Sequence, residues 1–235
     1  MLSITLLSHP LMSLLPQIKK IPWDTIAFGM DCYEVEILAR ATLEATTHTP
    51  GHYTARIEPL ASRALLAEYG YYYCDTLIQP YCTSVRFCGY DSPDASVSRE
   101  VDLAALLAIS YGAFSHGRFH RDFNIERARA DTRYDNWLKQ LHAEGKVYGL
   151  FHCGELAGFI GCQGSSLVLH AMAEDHRGQG LAKYLWTPVC QKLFAQGHEE
   201  ITSSISAANL GAVKLYASLG FGFRGATDIY HRLTP

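Results

Sequence analysis

The chain has 235 residues, of which 48% are hydrophobic, so it can form the core of one or two domains. Its formal net charge is −3 and the sequence contains no basic run, which argues against a nucleic-acid partner. The seven cysteines form no C-x-x-C pair, and several lie in apolar runs. They indicate buried thiols of a reducing compartment rather than a disulfide framework or a zinc site.

The first element in chain order is a leader, residues 1–20, which we expect to be loosely ordered. Its first sixteen residues are apolar but lack a basic region, and Pro10 and Pro16 interrupt them, which argues against a signal peptide. No stretch of the sequence approaches the roughly 18 apolar residues that span a bilayer. We therefore expect a cytoplasmic protein without a membrane partner.

Residues 21–95 are predicted to form a small N-terminal α/β subdomain. An amphipathic helix is expected over residues 56–69, because its apolar side chains share one face and Gly70 follows it. Alternating or apolar runs predict the strands of this region over residues 33–38, 71–79 and 81–89.

A second domain is predicted over residues 96–235, in the order helix, helix, three antiparallel strands, helix, strand, helix, strand. Asn124 is the expected cap of the second helix. The predicted elements are helices over 101–111 and 124–144, a hairpin of 146–153 with 155–163 about Gly154, a strand from Leu167, a helix from Arg177, a strand over 200–206, a helix over 210–219 and a strand over 222–233.

A glycine-containing turn lies between the Leu167 strand and the helical pattern that follows it. Such a turn can direct several backbone N–H groups and the positive end of a helix dipole at one anion. Gly178 and Gly180 allow a phosphate to approach the backbone without a Cβ in the way. The segment lacks the pattern of a P-loop and of a complete dinucleotide-binding fingerprint.

The pattern Arg177-x-x-Gly180-x-Ala182 resembles the pyrophosphate loop of the GNAT family, the acetyl-CoA-dependent N-acetyltransferases. A second motif that resembles this family, Asn209-x-x-Ala212-x-x-x-Tyr216-x-x-Leu219-Gly220-Phe221, follows about thirty residues later. The resemblance implies an α/β GNAT fold with a mixed, mostly antiparallel central sheet flanked by helices. The sheet should be splayed at the fourth and fifth core strands, and we place this splay between the strands at Phe159 and Ala171.

The resemblance also implies that acetyl-CoA is the cosubstrate and that no metal is needed. The pantetheine arm would pair with the strand at Ala171, Met172 and Ala173, and an N–H near Ala171 or Met172 would polarise the thioester carbonyl. The pyrophosphate would be bound by Arg177, Gly178, Gln179, Gly180, Leu181 and Ala182.

Two residues of the second motif take further roles by the same resemblance. Asn209 would contact the cofactor as well as cap its helix. Tyr216 would contact the cofactor and protonate the departing CoA thiolate. The alternative for Tyr216 is a tyrosine packed on the sheet, and His170 in the preceding strand is interpreted as a structural histidine or as a base acting through water.

The acceptor is expected to be a primary amine. An ordered set of residues upstream of the loop looks like that of GNAT enzymes that acetylate a nucleotide-linked 4-amino-4,6-dideoxyhexose for cell-envelope polysaccharide. The set consists of Trp23-x-x-x-x-Phe28-Gly29, Gly70-Tyr71-x-x-x-Asp75, Ala113-Phe114-x-x-x-Arg118-Phe119 and Arg133-Tyr134-x-x-Trp137. Asp75 would bind this substrate and remove the ammonium proton, unless it is a polar residue on the outer face of its strand. Arg118 and Tyr134 would bind the sugar nucleotide.

Other functions stay open from the sequence alone. The acceptor can instead be a protein N-terminus, a polyamine or another small amine, and the chain can be a non-catalytic acyl-CoA-binding module. His116 and His120 have the spacing of a metal pair on a helix, but without an apparent third ligand they are better interpreted as polar loop residues or substrate contacts. A homodimer is also possible.

Overall fold

The computed structural model describes residues 17–235, so residues 1–16 of the predicted leader lie outside the described residues. The strands are β1 (Ile18–Lys20), β2 (Cys32–Val35), β3 (Gly51–Ile57), β4 (Tyr72–Thr83), β5 (Ala95–Ser98), β6 (Val147–His152), β7 (Glu155–Gln163), β8 (Ser166–Met172), β9 (Glu200–Ser203), β10 (Ile205–Ser206) and β11 (Gly222–Thr234). The helices are α1 (Pro22–Phe28), α2 (Arg40–His48), α3 (Ala64–Glu68), α4 (Leu103–Ser110), α5 (Arg127–Ala143), α6 (Ala182–Ala195) and α7 (Leu210–Ser218), with a 3₁₀ turn at Glu174–His176. Within residues 17–235, none of these helices combines the length and the apolar character that a membrane span requires.

The described chain divides into two compact units, and the division differs from the predicted domain boundary at residues 95 and 96. The first unit contains residues 17–74 and 228–235, and the second contains residues 75–227. Both changes of unit fall inside strands, β4 and β11. A boundary inside a strand carries no Gly, Pro or polar linker, which is why composition does not indicate it.

In the first unit, the strands lie in the order β1-β2-β3-β11. β2 is parallel to β3, whereas β11 runs antiparallel to β3 from Asp228↔Ile57 to Thr234↔Gly51. The core of this unit consists of buried apolar and aromatic side chains, namely Val35, Leu43, Tyr53, Ala55, Leu66, Tyr71 and Tyr230.

In the second unit, the strands lie in the order β4-β9-β8-β7-β6-β5, with β10 also paired to β4. Adjacent β7 residues belong to different cores, as the alternation of side chains across a strand requires. Phe159 joins the side chains of α4 and α5, whereas Ile160 joins those of α6 and α7. Helices therefore cover both faces of this sheet, as the sequence predicts.

The sheet opens on one edge of β8. Along its other edge β8 pairs with β7 from Gln163↔Ser166 to Gly158↔Met172, and Phe159 lies opposite Ala171 within this ladder. The parallel pairing of β8 with β9 is confined to Ser166↔Thr202 and Leu167↔Ser203. The predicted splay of the fourth and fifth core strands is present, but its placement between the strands at Phe159 and Ala171 is wrong, because these two strands are the paired ones.

Several element predictions over residues 21–95 are also wrong. Residues 56–69 do not form one helix, because the chain leaves β3 at Ile57, passes Pro59 and forms only the short α3. Helix α2 has no counterpart among the predictions. The two strands predicted over 71–79 and 81–89 are a single strand, β4, that continues through Pro80 and ends at Thr83.

The predictions in the second unit agree more closely with the structure. Helix α4 is capped by Asp102, whose Oδ2 accepts a hydrogen bond from the N–H of Ala105 at 2.9 Å. Asn124 does not cap α5, which begins at Arg127. The helix predicted from Arg177 begins five residues later, at Ala182, because the intervening residues form the loop.

Candidate functional site

A cavity of about 630 Å³ lies in the second unit, where β8 and β9 separate. Its wall includes Met172 at the end of β8, residues of α6 and α7, and Ser115 and His116 of the loop after α4. The cavity connects the open edge of β8 to the N-termini of α6 and α7. It therefore exposes backbone N–H and C=O groups that would be hydrogen-bonded within a closed sheet.

The loop of residues 177–182 forms one end of this cavity. Gly178 and Gly180 have φ of +75° and +73°, a region that L side chains rarely adopt, and a Cβ at either position would point into open space. Helix α6 begins directly after them without a side-chain cap, and its first residues, Ala182 and Lys183, line the cavity. The unsatisfied N–H groups and the helix dipole make this end suitable for an anion.

Three cationic side chains also line the cavity: Arg177, Lys183 and Lys214. Arg177 is predicted from the sequence, whereas Lys183 and Lys214 are not, although Lys183 follows the first motif directly and Lys214 lies within the second. The Nε of Arg177 donates to the carbonyl oxygen of Met172 at 2.9 Å, so this side chain joins the loop to the end of β8.

The backbone of β8 presents different residues to its two edges. The N–H of Ala173 donates to the carbonyl of Ala157 at 2.8 Å, and alternate residues of an antiparallel strand face the same neighbour. The backbone groups of Ala171 and Ala173 therefore face β7. Those of His170 and Met172 face the opened side, and the contact of Arg177 with the Met172 carbonyl agrees with this assignment.

His170 and Tyr216 form a hydrogen-bonded pair between β8 and α7. The Tyr216 hydroxyl lies 2.9 Å from His170 Nε2. Tyr216 is fully buried and does not line the cavity, whereas His170 does. Burial raises the pKa of Tyr216 and lowers the pKa of His170 to about 4, so at neutral pH both side chains are uncharged. Helix α7 turns the Tyr216 ring into the core, so its predicted direct contact with the cofactor stays a prediction.

Asn209 occupies the position predicted for a helix cap. Its Oδ1 accepts a hydrogen bond from the N–H of Ala212 at 3.1 Å, so the capping prediction is confirmed. Asn209 also lines the cavity, which leaves its role in contacting the cofactor a prediction.

Asp75 is fully buried and does not line the cavity. Its Oδ1 accepts hydrogen bonds from Arg121 Nη1 at 2.8 Å, from Ser206 Oγ at 2.7 Å and from the N–H of Thr76 at 2.9 Å. Its Oδ2 is buried and has no hydrogen-bond partner among the described residues. Burial raises the pKa of this carboxyl, although Ser206 and Arg121 oppose the shift. Asp75 is not on an outer strand face, so the sequence-based alternative for it is wrong.

Arg118 and Tyr134 lie close to the loop that bears Ser115 and His116, but neither lines the cavity. The ring of Tyr134 stacks on Phe114 with centroids 4.4 Å apart, and a Cβ on Gly117 would lie 2.4 Å from the Tyr134 hydroxyl. Tyr134 therefore holds this loop against α5, and only glycine allows the contact. The Arg118 guanidinium lies 4.6 Å from the centroid of the buried Phe119 ring.

Comparison with known proteins agrees with this architecture. Residues 115–221 match the model of the Acetyltransferase (GNAT) family. The spore coat polysaccharide biosynthesis protein SpsD of Bacillus subtilis is 25% identical over 138 residues, which cover 55% of this chain and 47% of that protein. The N-alpha-acetyltransferase MAK3 of Arabidopsis thaliana is 30% identical over 89 residues, which cover 34% of this chain and 46% of that protein. The chain thus spans less than half the length of these curated relatives.

Solved structures extend the similarity to both units. A GCN5-related N-acetyltransferase from Sphaerobacter thermophilus matches with a TM-score of 0.64 at 13% identity, over 93% of this chain and 76% of that one. A GCN5-related N-acetyltransferase from Kribbella flavida matches with a TM-score of 0.57 at 12% identity, over 94% of this chain and 91% of that one. These matches confirm the predicted fold class.

Proposed function

We propose that this chain, whose residues 115–221 match the model of the GNAT acetyltransferase family, transfers an acetyl group from acetyl-CoA to a primary amine in a ternary complex. The observation that carries the proposal is the cavity between β8 and β9, which ends at the loop of residues 177–182. One end of this cavity suits an anion, and the other is bounded by strand backbone. Acetyl-CoA combines a pyrophosphate with an amide-containing arm and fits both features.

The pyrophosphate is bound by the N–H groups of the loop and of the first turn of α6, with Lys183 and Lys214 supplying positive charge. The pantetheine arm then runs along the opened edge of β8. Of the two residues considered for the thioester carbonyl, Met172 is favoured over Ala171, because the backbone of Ala171 faces β7. The N–H of Met172 would bind the thioester oxygen as negative charge develops on it.

The amine nitrogen attacks the thioester carbon and loses a proton to the base, the C–S bond breaks, and the departing thiolate takes a proton. We assign this proton transfer to Tyr216 acting with His170 as one unit, because the buried hydroxyl forms a hydrogen bond with an imidazole that lines the cavity. Neither group is charged at neutral pH. The pair therefore starts uncharged, and the tyrosinate left by the transfer regains a proton from solvent.

We favour an amino sugar on a nucleotide carrier as the acceptor, by the resemblance to dTDP-fucosamine acetyltransferase. The relative from Bacillus subtilis, which is named for polysaccharide biosynthesis, supports this choice. Asp75 with Arg121 and Arg118 nearby combines a carboxylate with cations that suit a diphosphate. The second candidate is a protein N-terminus, which the name of the Arabidopsis relative favours.

Thiol release from acetyl-CoA, measured across a panel of amines, tests the proposal. The panel contains a nucleotide-linked 4-amino-4,6-dideoxyhexose, the same sugar without its nucleotide, short peptides with free N-termini, and polyamines. We expect release with the nucleotide sugar and much less with the free sugar. Release with peptides alone would keep the transferase and discard the sugar acceptor. Binding of CoA without release for any amine would favour the non-catalytic alternative.

Asp75→Asn tests the prediction that Asp75 is the base, which requires a bridging water because the carboxyl does not line the cavity. The substitution keeps the shape of the side chain but removes its capacity to take a proton, so kcat/KM should fall about 100-fold. Burial raises the pKa of Asp75, so the activity of the original chain should fall as the pH decreases towards that pKa. The variant should lack this acidic limb of the pH profile. An unchanged profile in a folded variant would exclude Asp75 as the base.

A further inference from the structure

The end of the β6–β7 hairpin brings three different metal-binding side chains together. Asp94 directly precedes β5, His152 is the last residue of β6, and Cys153 follows it in the turn. One ligand atom of each lies within 4.8 Å of the other two. Asp94 and Cys153 are exposed and His152 is half-buried, so an ion from solution can reach the group. We propose that Asp94, His152 and Cys153 form a site for a Zn²⁺-like divalent cation.

The backbone holds these three residues in a fixed relation. Strands β5 and β6 pair antiparallel, with Ala95 opposite His152. The N–H of Cys153 continues this ladder by donating to the carbonyl of Asp94 at 2.8 Å. Only side-chain rotations are therefore needed to bring the three donors onto one ion. No loop has to become ordered on binding, so this entropic cost does not weaken the affinity.

The conformation of Cys153 is a second observation that points to this site. With φ of +51°, it is the one non-glycine residue in the described part of the chain with positive φ. The two-residue turn Cys153-Gly154 is of the kind in which Asn or Gly is normally preferred at the first position. An ordinary L-residue there costs about 1–2 kcal/mol relative to the right-handed region. The turn thus carries a thiol at a position where turn geometry alone favours another residue.

A third observation concerns His176, in the 3₁₀ turn before the loop of residues 177–182. Its ring lies 6.1 Å from that of His152, centroid to centroid, at an interplanar angle of 79°. Its Nδ1 is buried and has no hydrogen-bond partner among the described residues. His176 is therefore the nearest candidate for a fourth ligand. Because it also lines the cavity, an ion bound here would fix the start of the loop.

The donor set favours zinc over the hard cations. Thiolate, imidazole and carboxylate are the ligands of tetrahedral Zn²⁺ sites, whereas Ca²⁺ and Mg²⁺ prefer oxygen alone. Zn–S and Zn–N distances of about 2.3 and 2.0 Å place the donors roughly 3.5 Å apart, within reach from the observed spacing. Binding converts the Cys153 thiol to a thiolate, forms the S–Zn bond and releases one proton to solvent. Because Asp94 lies far along the chain from the adjacent His152 and Cys153, no local ligand spacing marks this site in the sequence.

The experiment titrates the full chain with Co²⁺ and with Zn²⁺ and uses a matched pair of cysteine variants. Cys153→Asn removes the thiol and places a residue that tolerates the left-handed conformation, so the turn should remain folded. Cys88→Ser removes the other exposed thiol of the described chain and serves as the control. We expect one Co²⁺ per chain with a near-ultraviolet thiolate charge-transfer band, abolished in Cys153→Asn and unchanged in Cys88→Ser.

Calorimetry with Zn²⁺ provides the second readout. Affinity should fall at least 10-fold in Cys153→Asn and in His152→Ala. In His176→Ala it should fall less, with the cobalt band retained. His48→Ala, an exposed histidine in the other unit, should bind as the original chain does. Absence of stoichiometric binding, or binding that Cys153→Asn leaves unchanged, would overturn the proposal, and neither result bears on acetyl transfer.

Discussion

The two edges of β8 show how one strand serves both the fold and the site. On the β7 edge the ladder extends from Ser166 to Met172, and the backbone hydrogen bonds stabilise the sheet. On the β9 edge the pairing ends at Leu167, and the groups beyond it face the cavity. Leaving backbone groups unpaired is costly when nothing replaces the partner. The open edge is therefore best explained as a surface reserved for a ligand.

The largest contrast between the edges should come from proline substitutions at neighbouring positions. Ala171→Pro removes an N–H that faces β7 and should destabilise the second unit by about 3 kcal/mol or more. Met172→Pro removes an N–H on the open edge, which should affect folding less but lower acetyl transfer at least 100-fold. Thermal unfolding and thiol release measured on both variants test the contrast. If both variants lose the same stability, the N–H of Met172 takes part in a hydrogen bond that stabilises the fold, and the contrast between the edges is wrong.

The side chains behind the open edge allow a sharper test. Tyr216→Phe and His170→Gln should each lower kcat by about 100-fold while leaving the affinity for CoA nearly unchanged. Because the two groups share one hydrogen bond, the double variant should be little worse than either single one. A double-mutant cycle on kcat measures this coupling. If the two reductions in kcat multiply in the double variant, Tyr216 and His170 act independently, and the pair is excluded as the proton donor.

The same pair predicts how stability depends on pH. Burial lowers the pKa of His170 to about 4 in the folded state, below the unfolded value near 6.5. The unfolded chain then binds more protons between these two values, so stability should fall as the pH decreases through this window. Across this window the difference in the pKa of His170 can lower the free energy of unfolding by about 3 kcal/mol. Denaturant unfolding between pH 7 and pH 4 should show a weaker pH dependence in His170→Gln. Parallel curves would exclude burial of a neutral histidine.

The smallest effects are expected in the loop that closes the open edge. Gly178→Ala and Gly180→Ala impose a left-handed conformation on an L-residue and should each cost about 1 kcal/mol of stability. Gly164→Ala is the matched control, because φ is +58°, a Cβ there meets nothing within 4 Å, and the residue is outside the cavity wall. All three should lose similar stability, but only the loop variants should weaken CoA binding, measured by calorimetry.

The sequence predicts the second unit better than the first for a physical reason. The loop of residues 177–182 and the cap at Asn209 follow from local backbone requirements, which residue types reveal directly. In the first unit, β3 obtains its partner from residues 228–234, far away in the chain. The helical pattern of residues 56–69 competes with that pairing, and sequence periodicity contains no information on the distant strand.

The site shows the same limit. The contacts of Tyr216 with His170 and of Asp75 with Arg121 and Ser206 each join distant segments. Residue type indicated that a tyrosine and a carboxylate are chemically useful, but not that both would be buried away from the cavity wall. Orientation of a side chain towards a cavity is set by tertiary packing, which the local pattern does not encode.

The division of the first unit into two segments has a consequence for synthesis on the ribosome. Strand β3 lacks its β11 partner until residues 228–235 have been translated, whereas every residue of the second unit precedes them. Domains generally fold as units while the chain emerges. The second unit should therefore become protease-resistant first on stalled nascent chains, and the first unit should follow only once residues 228–235 have left the exit tunnel.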